Sequence, residues 1–206
     1  MRASLAIIAL ATAWVIGMPS AYAADIIVNP DASAIFLLQC EFAKTDPPYE
    51  AITHWGGTVQ SSDEFHRPEA IKQADASLHA KAASLQGVEK IIVNLGSHFS
   101  EYDAQYNEYD FEINDGSYIA YSAFGRQVRI ALTNGTKAQT WKLGPKEAEE
   151  ALRKNKGDRL ATLVLTLMLL ESDGEPVVLN ARVIGYDVLT GYSHVKLGSV
   201  VVDNAQ

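Results

Sequence analysis

Residues 101–115 read Glu-Tyr-Asp-Ala-Gln-Tyr-Asn-Glu-Tyr-Asp-Phe-Glu-Ile-Asn-Asp, the densest run of carboxylates and phenol rings in the chain. Carboxylates can hold a divalent cation, and exposed tyrosines can stack against a sugar ring or a peptide. On that chemistry the candidate binding residues are Glu101, Tyr102, Asp103, Tyr106, Glu108 and Asp110. The spacing does not make a calcium loop. Asp110, Glu112 and Asn114 alternate suitably, but Gly116 comes one residue late and Tyr121 stands where the closing glutamate belongs. Alternation offers a simpler account, in which Tyr109, Phe111 and Ile113 form one side of a strand and Asp110 and Glu112 its solvated side.

Other chemistries compete with equally plain structural roles. A glycosidase needs two carboxyl groups flanking one bond; Glu101 with Asp110 can be nominated, but nothing in the sequence makes them converge. His54, His66, His79, His98 and His194 are scattered, and His98-Phe99-Ser100-Glu101 lacks the second histidine of a zinc motif. Cys40 beside a histidine is a nucleophile-base option. It ends the apolar run Ala34-Ile35-Phe36-Leu37-Leu38-Gln39, however, which packs it as a small apolar side chain on a helix. Ser193-His194-Val195-Lys196 matches an acylating Ser-x-x-Lys pattern but falls where a strand is expected, and its Ser-Asp-Asn and Lys-Thr-Gly companions are missing. Asn134-Gly135-Thr136 is a glycosylation sequon that a hairpin turn also explains. No catalytic residue, metal site or cofactor is assigned.

The elements that must position these residues begin after an export signal. Met1-Arg2 gives a positive start, residues 5–18 are almost purely apolar, and Ala21-Tyr22-Ala23 places small residues where a signal peptidase reads, so residues 1–23 read as a cleavable signal peptide. The apolar run falls short of the ~20 residues a membrane span requires, so no membrane insertion is expected after cleavage. Residues 24–206 are then expected to form one domain. With Cys40 the only cysteine, packing and not disulfide bonding must stabilise it. The chain holds 17 Lys and Arg against 25 Asp and Glu; losing Arg2 leaves 16 against 25, a net charge of −9. That balance argues against nucleic acid or an anionic lipid surface as partner.

The pattern gives helices first, over about 30–87, and strands afterwards, over about 88–203. Asn29-Pro30-Asp31 predicts a helix start with Asn29 as cap, running to Phe42 before Asp46-Pro47-Pro48. A second helix spans about 68–85, where Ile71, Ala74, Leu78, Ala82 and Leu85 recur at helical spacing, with a capping pattern at Ser61-Ser62-Asp63-Glu64. A third runs near 145–154. Period-two patterns mark strands at Ile91, Val93 and Leu95, at Tyr109, Phe111 and Ile113, and at Val128, Ile130 and Leu132. Asn114-Asp115-Gly116 and Asn134-Gly135 are expected turns of an antiparallel meander. Three long strands close the chain; the first, from Leu160, is apolar on both sides and belongs in the sheet centre. Turns are expected at Asp173-Gly174-Glu175-Pro176 and Thr190-Gly191.

These observations predict an α+β fold, a mainly antiparallel sheet with two or three helices packed on one face. The functional expectation is a soluble non-catalytic module of the bacterial envelope, periplasmic or secreted. It would bind an envelope protein or glycan through its acidic tyrosine-bearing surface. The alternative is an envelope hydrolase using a carboxylate or the thiol.

Overall fold

A computed structural model describes residues 26–171 and 178–202. The expected signal peptide and the turn expected over 173–176 lie outside them. The chain opens with β1 (Ile26–Val28), α1 (Ala32–Phe42), α2 (Tyr49–Thr53), α3 (Gly57–Ser61) and α4 (Arg67–Leu85). There follow β2 (Lys90–His98), β3 (Glu108–Asp110), β4 (Tyr118–Ala123), β5 (Arg126–Leu132), α5 (Gly135–Ala138), β6 (Thr140–Lys142) and α6 (Pro145–Lys154). Three long strands complete it: β7 (Leu160–Leu169), β8 (Val178–Thr190) and β9 (Lys196–Val201).

Seven strands form one sheet in the order β1-β2-β7-β8-β5-β4, with β9 also on β8, and β3 pairs with β6 in a small second sheet. The main sheet is mostly antiparallel; the β1/β2 and β5/β8 pairs are parallel. The central position expected for the doubly apolar strand is the one β7 takes, between β2 and β8. Its Leu163, Leu165 and Leu167 are fully buried, and its Val164, Thr166 and Met168 half-buried. β8 is long enough to hold two neighbours along one edge, β5 over 178–181 and β9 over 185–189.

The three long helices lie where periodicity puts them, while their starts differ in detail. The N-cap of α1 is Asp31 and not Asn29: Asp31 Oδ1 accepts the Ala34 N–H at 2.8 Å, leaving Asn29 at a φ of 49°. Because its sequence is apolar all round, α1 is buried on every side from Ala34 to Cys40, packed between α4 and strands β4, β5 and β8. Ahead of α4 it is Asp63, not Ser61, that serves the turn, accepting the Phe65 and His66 N–H groups at 2.9 and 3.0 Å. Three further helices, α2, α3 and α5, have four or five residues each. They are too short to leave a period in the sequence.

The expected meander is corrected in two places: β3, which Asn114-Asp115-Gly116 separates from β4, pairs with β6 outside the main sheet, and the second expected turn falls elsewhere. Asn134-Gly135 does not form a hairpin; the two-residue turn is Phe124-Gly125, at φ values of 51° and 69°, joining β4 to β5. Phenylalanine is a poor residue for that backbone. Here its ring packs edge-on against Phe36 at 5.2 Å, and the core contact outweighs the turn preference. Asn134 is instead buried, its amide donating to the Val183 carbonyl at 2.9 Å and accepting the Val183 N–H at 2.8 Å. It thus bonds β8 as a neighbouring strand would, and the sequon it heads is closed to modification in the folded chain.

Candidate functional site

The acidic stretch is laid over an aromatic layer. Phe99, Tyr109, Phe111 and Trp141 are each at most 2% exposed, with ring centroids 4.9–6.4 Å apart in mostly edge-to-face contacts. β3 and β6 place Tyr109 opposite Trp141, and Tyr186 of β8 closes the layer against Phe111 at 5.8 Å. The polar ends of these rings are satisfied by backbone. Tyr109 donates to the Ala148 carbonyl of α6 at 3.1 Å and Tyr186 to the Ala138 carbonyl of α5 at 2.9 Å. Burial pushes both phenols above their ordinary range.

The structure separates the six candidate residues into three groups. Tyr102 belongs to the aromatic layer: it is half-buried, its ring is 5.3 Å from Tyr109, and its hydroxyl donates to the Leu143 carbonyl at 2.8 Å. Glu108 and Asp110 face β6, Glu108 pairing with Lys142 at 2.9 Å and Asp110 accepting the Thr140 hydroxyl at 3.1 Å. Glu101, Asp103 and Tyr106 remain exposed. Asp103 and Glu108 exchange backbone hydrogen bonds at 2.9 and 3.2 Å, and Asp103 Oδ1 accepts the Gln105 and Tyr106 N–H groups. Asn107, at a φ of 56°, turns the chain back. Tyr106 is therefore presented, 58% exposed, at the tip of a short turn fixed at its base by reciprocal bonds and below by aromatic packing.

The remaining chemical candidates occupy structural positions. Cys40 is 3% exposed inside α1, and burial raises its thiol. Ser193 sits in a turn with its Oγ 2.7 Å from that of Thr190, and Lys196 pairs with Asp187 at 2.8 Å. His66 pairs with Asp63 and His79 stacks on Tyr49. Among the described residues no three His, Cys, Asp or Glu side chains group as metal ligands, and no helix is long and apolar enough to cross a membrane.

Two clefts escape sequence reasoning because each joins distant segments. One, of about 340 Å³, is lined by Leu95 and His98 of β2 together with Tyr118 and Ile119 of β4, strands that are not neighbours in the sheet. The second, of about 320 Å³, lies among α2, α3 and α4. No protein-family model, no curated protein and no solved structure matches this chain.

Proposed function

We propose that the chain is an exported, soluble, non-catalytic module of the bacterial envelope, periplasmic or secreted, that binds a protein or glycan partner through the turn carrying Glu101, Asp103 and Tyr106. The observation that supports this is the construction of the turn. Folding accounts for Tyr102 and Tyr109, whose rings and hydroxyls are both engaged, whereas Tyr106 is 58% exposed and is held only through its backbone N–H, which Asp103 Oδ1 accepts. An exposed aromatic side chain on a turn whose backbone is already ordered leaves less freedom to lose on binding, which favours affinity.

The test is capture of envelope proteins and glycans by the immobilised chain. Tyr106→Ala, and Glu101→Gln combined with Asp103→Asn, should each reduce capture several-fold without shifting thermal unfolding, since the amide oxygen introduced at position 103 can still accept the two turn N–H groups. Capture that survives all three changes sinks the assignment.

A further inference from the structure

We infer that the cleft among α2, α3 and α4 is a second binding site, built for a short neutral saccharide. Its floor is apolar, formed by Ile52, Leu78 and Phe124, and its rim carries Thr58, Gln73 and Ser77. A pyranose ring presents the same division, a C–H face and a border of hydroxyls. Among the described residues the side-chain hydroxyls of Thr58 and Ser77 make no hydrogen bond, and Gln73 engages only its Nε2, with Glu69, so its carbonyl oxygen is open to a ligand. No charged side chain lines the cleft, although the chain as a whole carries a net charge of −8. An ionic ligand would find no counter-charge there; a neutral polyol needs none.

Trp55 supplies the platform. It is 54% exposed and sits between the cleft residues Thr53 and Gly56 in sequence, and its six-membered ring lies over Gly125, next to the cleft residue Phe124. The ring lies so close that a Cβ at position 125 would come within 2.5 Å of Trp55 Cη2, so the positive-φ glycine is what admits the indole. Trp55 does not itself line the cleft, but it flanks the lining residues in sequence and its ring abuts the residue after Phe124. An exposed tryptophan next to the residues of an uncharged cleft offers stacking to the C–H face of a sugar while the rim bonds its hydroxyls. The volume of about 320 Å³ suits a saccharide of one or two rings.

This site is independent of the Tyr106 turn, and calorimetric titration of the full chain with chitobiose, cellobiose and maltose separates the two. At least one of these sugars should bind, with Trp55→Ala and Ser77→Leu each weakening it by about tenfold or more, and Tyr106→Ala leaving it unchanged. Ser77 is exposed, so its leucine variant fills the cleft without disturbing the core, which thermal unfolding would verify. The inference is overturned if none of the three sugars binds, or if binding persists in both cleft variants. Loss of sugar binding in Tyr106→Ala alone would likewise overturn it and assign the sugar to the acidic turn.

Discussion

The helical region around α1 and the aromatic region around β3 and β6 both complete the core of the same long strands, yet they treat polar atoms in opposite ways. In the aromatic region each buried ring hydroxyl ends on a backbone carbonyl, and the Asn134 amide is bonded on both sides to Val183. In the helical region Gln39, 1% exposed in the middle of α1, has neither its Oε1 nor its Nε2 bonded. A buried polar group without a partner forfeits its hydration with no return. The aromatic region is therefore close to locally optimal, and the helical region keeps an unfavourable residue in an otherwise aliphatic setting. Mutations should damage the first and can improve the second.

The largest effect is expected at Trp141, 1% exposed and in contact with three other rings. Its Cζ2 lies so near Gly198 of β9 that a Cβ there would stand 2.9 Å away. Trp141→Ala should cost about 3–5 kcal/mol by cavity formation, read as a fall in denaturant midpoint. A loss below about 1 kcal/mol would mean that the aromatic layer is loosely packed, and the contrast between the regions would fail. Asn134→Ala comes next: it strands the Val183 N–H and carbonyl together and should cost about 2–3 kcal/mol in the same assay. Gln39→Met, of similar volume, should instead raise stability by about 1–2 kcal/mol by removing the unpaired amide. A destabilised Gln39→Met would show that the amide is satisfied, and would remove the helical half of the contrast.

How far the sequence reveals this architecture follows from the range of each interaction. α4, α6 and β7 are legible because their periods run over ten residues or more, and the burial of Tyr109, Phe111 and Ile113 follows from alternation even though β3 itself has only three residues. The parallel partner β1, only three residues long, leaves no pattern. The turn falls at Phe124-Gly125 and not at the expected Asn134-Gly135 because turn preference is a local term. Phe124 is decided by a ring 88 positions away in sequence at Phe36, and Asn134 by Val183. In the acidic stretch the residue types are visible, but not which tyrosine faces outward; that depends on the Leu143 carbonyl and the Ala148 carbonyl, which only the fold brings near. The cleft beside Trp55 has no local signature at all.

The smallest effect concerns the start of α1, where the helical region does use a polar side chain well. Burial alone would raise the Asp31 carboxyl, but hydrogen bonds from Lys81, the Ala34 N–H and the Ser33 hydroxyl outweigh it and bring it down from 3.8 to about 2. A carboxylate whose folded value is depressed adds stability above its ordinary value and loses that contribution as pH falls through the folded value. The window is therefore about pH 4 down to 2. Because the side chain is 66% exposed, solvent screening limits the contribution to below about 1 kcal/mol. Asp31→Asn keeps a capping acceptor and removes only the charge. Its unfolding temperature should lie slightly below that of the parent at pH 6 and converge with it near pH 2. Equal unfolding temperatures for variant and parent at both ends of that range would assign the role of Asp31 to capping alone, with the Lys81 pair at 2.6 Å contributing nothing measurable.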